Sequence, residues 1–310
     1  MKALTAVGYG PLADLTFSDV DKPVPGPGQV LVRTEAVALN PLDVKLVLGS
    51  VREVFPVTHP FVVGIDVSGT VEAVGPDTIG YAPGDAVTAM NLGVAGAVAE
   101  YTLAQTGPLL THRPEGVDAR SAAALPAAGL TALSLLHHCV PVAGRDVLIS
   151  GATGGVGSFA VQLFAAAGAR VLATGRPDDT ETVLGWGAHH VIDYTGGKTA
   201  QLARELVPGG VDVVLALAED GAALPGIAAA AIDEGLVLTC TEQPTALERG
   251  VTVERVDLTA RDGDLSGLAA RVSLGELRVP VTGVYPFSEA RTAYEDLVGK
   301  HTVGKLVVEF

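Results

Sequence analysis

Three regularly spaced glycines, Gly151, Gly154 and Gly157, are the strongest candidate for a chemical site in this sequence. An apolar run at 147–149 precedes them and a helical pattern at 159–167 follows, so they fall in a turn between a buried strand and a helix. Such a turn lets backbone approach a pyrophosphate, while the helix N-terminus offers unpaired N–H groups. A glycine turn also occurs as a plain packing device. A second apolar run completes the strand, turn, helix and strand, and this context favours a dinucleotide fingerprint.

The residues after the second apolar run, 171–173, indicate which dinucleotide would bind. An NAD site usually carries Asp or Glu at this strand end to hold the ribose hydroxyls. Here Gly175 and Arg176 follow the run, and Asp178 and Asp179 come only later. The guanidinium is placed to pair with a 2′-phosphate, so the sequence predicts NADPH over NADH, with Gly175 and Arg176 at the cofactor. The alternative for Arg176 is a solvated loop charge.

Metal ligands are scarce. The chain has two cysteines, Cys139 and Cys240, which exclude a disulfide framework and a four-thiolate zinc site. The seven histidines show no ligand spacing with cysteines or acids. We therefore predict no metal site and, in particular, no catalytic zinc.

Two kinds of segment must position these residues. Up to about residue 115 the chain contains short strands separated by Gly/Pro turns, including an alternating stretch at 29–38, which favours a small barrel-like β domain. Beyond Ser121 strands alternate with helices. The apolar run 211–217 does not alternate, as a strand buried on both faces of a parallel sheet requires. This half predicts a doubly wound parallel sheet.

The length and composition of the chain fit a two-domain globular protein. The chain has 310 residues, of which 48% are hydrophobic, and a formal net charge of −15. The acidic charge argues against nucleic acid and anionic membranes as partners. Apolar runs fall short of a membrane span, and the N-terminus lacks a signal-peptide pattern, so we expect a soluble cytoplasmic protein with no membrane partner.

Short motifs also occur far from the glycine turn. They are Asn40-Pro41-Leu42-Asp43, Gly64-Ile65-Asp66-Val67-Ser68-Gly69, Gly84-Asp85, Ala99-Glu100-Tyr101, Leu125-Pro126-Ala127-Ala128-Gly129-Leu130-Thr131-Ala132 and Gly304-Lys305-Leu306-Val307. In their order and spacing these motifs resemble the medium-chain dehydrogenase/reductase superfamily, and most closely its zinc-free quinone oxidoreductase (ζ-crystallin-like) branch. The Asn-Pro-x-Asp-x-Lys pattern is most similar to that of alkenal/enone reductases.

The resemblance implies an α/β fold with a GroES-like β-barrel domain and a Rossmann doubly wound parallel sheet domain. We expect the first from residues 1–120 with 276–310 and the second from 121–275. The resemblance places the substrate cleft at the junction of the domains. It also implies a homodimer formed through edge strands of the nucleotide domain.

The resemblance also implies a catalytic role for Lys45. Zinc-dependent relatives carry ligands in the segments of Asp43 and Asp66, so both ligand positions are lost here, and these two acids are expected to hold loops. Lys45 would lie over the nicotinamide ribose, where its ammonium could hold the ribose hydroxyls and a developing enolate. From the residues alone, a surface lysine on a short helix is the favoured interpretation of Lys45, and it is the resemblance that favours the catalytic role. Many quinone reductases have Tyr at this position, and because this chain departs from that pattern we expect solvent as the proton source.

Further cofactor contacts follow from the same resemblance. Asn40 and Thr131 correspond to positions near the nicotinamide, and the turn Thr153, Gly154, Gly155, Val156 and Gly157 to the pyrophosphate site. Tyr194 corresponds to a tyrosine near the 2′-phosphate or adenine. Cys240 and Thr241, just past a strand, and His301 complete the predicted set. Each of three residues also has an interpretation that needs no cofactor. Asn40 would form a turn before a proline, Thr131 would begin a helix, and Tyr194 would pack at the end of a strand.

Together these features predict an NADPH-dependent reductase that passes hydride to the C=C bond of α,β-unsaturated carbonyls or to quinones. Two alternatives stay open. The first is an enoyl reductase acting on a thioester intermediate of polyketide or fatty-acid metabolism. The second is a non-catalytic NADPH-binding sensor or structural protein.

Overall fold

The computed structural model describes residues 1–219, 221–240 and 247–310. In chain order the strands are β1 (Lys2–Ala6), β2 (Thr16–Asp19), β3 (Gln29–Ala38), β4 (Phe61–Val62), β5 (Asp66–Val74), β6 (Ala86–Met90), β7 (Tyr101–Gln105), β8 (Leu110–His112), β9 (Asp146–Ser150), β10 (Arg170–Gly175), β11 (His190–Asp193), β12 (Val211–Ala216), β13 (Ala231–Thr239), β14 (Thr252–Arg255), β15 (Val281–Pro286) and β16 (Lys305–Glu309). The helices are α1 (Pro41–Leu48), α2 (Ala119–Ala123), α3 (Pro126–Cys139), α4 (Gly155–Ala166), α5 (Thr180–Gly185), α6 (Thr199–Leu206), α7 (Leu224–Ala228), α8 (Asp264–Ser273) and α9 (Ala290–Gly299).

The chain divides into two compact units. The first comprises Met1–Ala127 and Ala260–Phe310, and the second Ala128–Thr259. The predicted domain boundaries, 120/121 and 275/276, differ from the limits of these two units mainly at α8, which falls in the first unit. The reason is that α8 packs on β8, a contact between segments far apart in sequence.

The first unit contains two sheets. One has the order β2-β1-β4, and the other the order β15-β16-β3-β5-β6-β8, with β7 also pairing to β3. Apart from the parallel pair β15–β16, the pairings are antiparallel. Strand β3, predicted to be half-buried, is buried at most positions because α2 covers part of its second face.

The second unit contains one parallel sheet of order β11-β10-β9-β12-β13-β14. Successive strands run outward from β9 in one direction, and the order then reverses between β9 and β12. This arrangement confirms the predicted doubly wound sheet. Strand β9 is nearly fully buried, and α4 packs Phe159 and Phe164 into the interior, as helices on the face of a parallel sheet require.

The start of helix α4 bears on the site. The helix begins at Gly155, earlier than the predicted Phe159, so the last glycines form the first turn of the helix.

No helix among the described residues is both long enough and apolar enough to cross a membrane.

Candidate active site

The glycine turn of the second unit exposes backbone donors. Gly154 is the N-cap of α4, and the first helical hydrogen bond runs from the Ser158 N–H to the Gly154 oxygen at 2.9 Å. The N–H groups of Gly155, Val156 and Gly157 therefore precede the helical ladder. Gly155 and Val156 are only half-buried, so an anion can reach this end of the helix. This donor set fits a pyrophosphate.

The turn depends on glycine at specific positions. A Cβ on Gly157 would lie 2.1 Å from the Gly151 oxygen and 2.7 Å from the Ala152 Cα, closer than any real contact. Gly151 has a φ of 68°, which favours glycine. Its N–H donates to the Thr174 hydroxyl at 3.0 Å and so ties the turn to β10. Thr153, which is buried, completes the turn beneath the accessible residues.

Arg176 and Tyr194 meet at the carboxyl edge of the sheet. Arg176 directly follows β10, and Tyr194 directly follows the neighbouring strand β11. Arg176 Nε donates to the Tyr194 hydroxyl at 3.1 Å, and both side chains are exposed. Arginine presents a planar fork of donors that matches phosphate geometry. The pair therefore fits a 2′-phosphate held at this edge.

Of the two acids that follow β10, Asp179 has a structural role. The Arg176 N–H donates to the Asp179 carboxylate at 3.0 Å, and Asp179 is 7% exposed. Asp178 is exposed, but it comes after the strand tip. Gly175, at the tip itself, is buried, and a Cβ there would lie 3.2 Å from Val191 Cγ1.

Other predicted cofactor residues lie in the same unit. Cys240 follows β13 directly, and burial raises the pKa of its thiol to about 11, so it stays protonated at neutral pH. Thr131 lies on α3 and is half-buried. Thr241 lies outside the described residues. Thus the turn, Gly175, Arg176 and Tyr194 gather at one edge of the sheet.

The first unit contains a buried polar cluster, defined here as Asn40, Asp43, Asp66, Tyr294 and Lys305. Each of these residues is at most 6% exposed. Lys305 Nζ donates to Asn40 Oδ1 at 2.5 Å and lies 3.7 Å from Asp66 Oδ2. Asn40 Nδ2 donates to the same Asp66 oxygen at 3.0 Å. The Asn40 N–H and the Tyr294 hydroxyl both donate to Asp43 Oδ2, at 2.9 and 3.2 Å.

The buried polar cluster holds the N-termini of two helices, α1 and α3, and ties strand β16 to the first of them. Asn40 caps α1, and Asp66 accepts a 3.0 Å hydrogen bond from the Ala127 N–H in the first turn of α3. The Lys305 ammonium also donates to the Leu39 oxygen at 2.7 Å, which ties β16 to the segment entering α1. Asn40, which was predicted to lie near the nicotinamide, thus has internal hydrogen-bond partners for its backbone N–H, Nδ2 and Oδ1.

Burial controls the protonation of the cluster. It raises the pKa of Asp43 to about 7 and that of Asp66 to about 6, because charged carboxylates lose their hydration. Lys305 opposes both shifts. The pKa of Lys305 is lowered by its own burial, and that of Tyr294 is raised well above its usual range by burial and by the Asp43 charge.

Lys45 lies on α1, whose N-terminus the cluster holds. The helix buries Val44, Leu46 and Val47, and Lys45 points to the exposed side. Among the described residues the Lys45 ammonium has no hydrogen bond or ion pair, so it is available to a ligand. His301, the other cofactor residue predicted in this unit, is exposed shortly before β16.

A cavity of about 740 Å³ also lies within the first unit. Its wall is mostly apolar and includes Leu46, from α1, and Phe55, Phe61 and Ile65. Asn91 lines it as well, is 1% exposed and donates from Nδ2 to the Thr102 hydroxyl at 3.1 Å. An apolar pocket with few polar groups is typical of a small-molecule site.

Within the described part of the chain, no group of three or more His, Cys, Asp or Glu side chains is arranged to hold a metal ion. Asp43 and Asp66 direct their carboxylates to backbone and side-chain donors.

Three residues that support the site were not predicted as such: Lys305, Tyr294 and Asn91. For Lys305 a signal existed, since a lysine that opens an apolar final strand must find a buried acid. Tyr294 lies in an ordinary amphipathic helix pattern, so its role depends on long-range packing. Asn91 follows β6, where neither spacing nor composition distinguishes it.

Comparison with known proteins places these features in a family. Residues 26–114 match the family "Alcohol dehydrogenase GroES-like domain", and residues 186–308 match the family "Zinc-binding dehydrogenase". A chloroplastic quinone oxidoreductase, QR1, of Triphysaria versicolor is 35% identical over an alignment of 332 residues that covers 100% of this chain and 98% of the relative.

Solved structures give the same result. The quinone oxidoreductase from Coxiella burnetii superposes with a TM-score of 0.90 at 28% identity, covering 100% of this chain and 99% of that one. A mycobacterial protein solved with NADPH gives a TM-score of 0.86 at 29% identity, with 100% of both chains covered. The chain therefore belongs to the quinone oxidoreductase branch of the medium-chain dehydrogenase/reductase superfamily.

Proposed function

We propose that this protein is an NADPH-dependent, zinc-independent reductase that passes hydride to the C=C bond of α,β-unsaturated carbonyls or to quinones. The family supports an oxidoreductase acting on a small molecule with a nicotinamide cofactor. The observation that carries the choice of cofactor is the Arg176–Tyr194 pair beside the glycine turn. A cytoplasmic location and a homodimer are part of this proposal.

The second unit supplies the cofactor site. The N–H groups of Gly155, Val156 and Gly157 would bind the pyrophosphate, and Arg176 would bind the 2′-phosphate through its terminal nitrogens. Tyr194 orients the guanidinium by accepting from Nε. When bound, NADPH supplies the hydride. The mycobacterial structural neighbour was solved with this same dinucleotide.

The first unit supplies the groups for the acceptor. When hydride adds to the β-carbon of an enone, negative charge collects on the carbonyl oxygen. An ammonium stabilises that charge, and Lys45 is an exposed ammonium on a helix that the buried polar cluster holds in place. Solvent then protonates the α-carbon. The apolar cavity beside Leu46 would hold the hydrocarbon part of the acceptor.

The hydrogen bonds of Asp43 and Asp66 support the zinc-independent part of the proposal. In a zinc enzyme the metal polarises the carbonyl, and its ligands must be free to coordinate it. Here Asp43 and Asp66 accept hydrogen bonds from Asn40, Tyr294 and the α3 N-terminus. The positive charge next to them is already supplied by Lys305.

A steady-state screen of NADPH oxidation against enones, quinones and enoyl thioesters tests the proposal. We expect turnover with an enone or a quinone, insensitivity to a chelator, and a preference for NADPH over NADH. Preferred turnover of enoyl thioesters would instead support the enoyl reductase alternative. Tight NADPH binding with no turnover across the whole panel would contradict the enzyme assignment and favour a sensor or structural role.

A further inference from the structure

A second pair of side chains meets at the same sheet edge, at the point where the strand order reverses. Ser150 is the last residue of β9, and Ala216, the last residue of β12, is its partner in the parallel ladder. Glu219 follows β12 after a short turn. The Ser150 hydroxyl donates a hydrogen bond to the Glu219 carboxylate.

The segment that carries Glu219 packs directly on the glycine turn. A Cβ on Gly151 would lie 3.1 Å from the Ala218 Cβ and 3.2 Å from the Ala218 nitrogen. Glu219 itself is half-buried. A carboxylate is therefore fixed beside the dinucleotide turn, in surroundings that screen its charge less than open water would.

The position of Arg176 and Tyr194 determines which half of the dinucleotide Glu219 faces. A dinucleotide crosses a doubly wound sheet at the point of strand reversal, with its pyrophosphate at the helix N-terminus. Arg176 and Tyr194, after β10 and β11, fit the phosphate-bearing adenosine half. The nicotinamide half then extends to the other side of the reversal, over β12, where Glu219 lies. This step rests on the proposed function.

We propose that Glu219 is a specificity-determining residue that distinguishes the oxidised from the reduced cofactor. NADP⁺ carries a positive charge on its nicotinamide ring, and NADPH does not. The carboxylate held by Ser150 attracts the charged ring and so strengthens NADP⁺ binding selectively. The same charge makes the bound cofactor a better hydride donor, because it stabilises the oxidised form relative to the reduced one.

Isothermal titration calorimetry of the Glu219→Gln variant tests this proposal with three ligands: NADP⁺, NADPH and 2′-phospho-ADP-ribose, which lacks the nicotinamide. We expect the Kd for NADP⁺ to rise by about tenfold, from the loss of one close charge–charge attraction. The Kd values for the other two ligands should change by less than about twofold. The Ser150→Ala variant keeps the Glu219 charge but removes the hydrogen bond that holds it in place. It should raise the Kd for NADP⁺ by a smaller factor.

Glu205→Gln is the matched control, since Glu205 is an exposed acid on α6 of the same unit. It should leave all three Kd values unchanged. An equal loss for all three ligands in Glu219→Gln would show a structural role and overturn the proposal, as would unchanged NADP⁺ binding. If the wild-type protein binds none of the three ligands, the proposed function fails and this inference fails with it.

Discussion

Arg176 and Tyr194 are joined by a 3.1 Å hydrogen bond from Nε to the phenolic oxygen, although they are separated by a helix and a strand in the sequence. The bond links the ends of two adjacent parallel strands. It holds the guanidinium by its Nε, so the two terminal nitrogens present a fork at the sheet edge. A preoriented fork of this kind loses little side-chain entropy when it binds a phosphate.

Replacement of Arg176 with Ala should remove most of the discrimination between NADPH and NADH. We expect the Kd for NADPH to rise by about 10- to 100-fold, the value of a charge-assisted hydrogen bond or two, with little change for NADH. Titration calorimetry with both cofactors measures the effect. Arg145→Ala is the control, because Arg145 is exposed just before β9, at the amino edge of the same sheet. A parallel loss of NADH binding would argue against a 2′-phosphate contact.

Tyr194→Phe should weaken NADPH binding less, by about three- to tenfold, because the guanidinium stays but is no longer oriented. In the Arg176→Ala background the same change should have almost no effect. The double-mutant cycle measures this coupling directly. Independent, additive effects would show that Tyr194 contacts the cofactor without acting through Arg176.

Lys45→Ala should slow hydride transfer by about 100-fold, the scale of losing one electrostatic stabiliser of a developing oxyanion. Stopped-flow measurement of NADPH oxidation separates this step from binding, and circular dichroism should show an unchanged fold, since the side chain is exposed. Lys300→Ala is the control, because its ion pair with Asp296 is on the exposed surface. Wild-type hydride transfer in Lys45→Ala would remove this residue from the mechanism.

The buried polar cluster should make stability depend on pH. Asp43 has a pKa of about 7 in the folded protein, against 3.8 for an ordinary Asp. Between these values the folded state binds the proton more tightly than the unfolded chain does. The free energy of unfolding should therefore fall as the pH rises from about 4 to about 7, by at most about 1.4 kcal/mol per pH unit for this group. Asp66 contributes with the same sign.

Urea unfolding at several pH values measures that slope. Asp43→Asn should flatten the slope, because the variant has no charge to bury at this position. Asp262→Asn, an exposed acid of the same unit, should keep the slope of the wild type. A slope that Asp43→Asn leaves unchanged would assign the pH dependence to other groups.

Gly157→Ala should disrupt the turn, since its Cβ would meet the Gly151 oxygen at 2.1 Å. We expect destabilisation by about 1–3 kcal/mol, the cost of forced overpacking, and loss of NADPH binding. Gly267→Ala is the matched control on α8, where a Cβ meets nothing within 4 Å. That change should stabilise the protein by about 0.5–1 kcal/mol. Thermal unfolding with and without NADPH reports both effects.

Much of the second unit could be predicted because its signals are local. The glycines, the apolar runs on either side and Arg176 at a strand tip lie close together in the chain, and hydrophobic periodicity indicated the parallel strands. The boundaries were less predictable. Helix α8 lies in the first unit, whereas the predicted division at 275/276 placed it in the second; its packing on β8 joins segments that are far apart in sequence.

Three features could be predicted from neighbouring residues alone: the glycine turn, the lack of an acid before Arg176, and Lys45 on a short helix. Three other contacts became visible only in the folded chain: Tyr194 accepts a hydrogen bond from Arg176, Ser150 donates to Glu219, and Lys305 meets Asn40 and Asp66 in the interior. These contacts join residues from different strands and helices. Spacing along the chain does not encode them, because strand order and register bring such side chains within hydrogen-bonding distance.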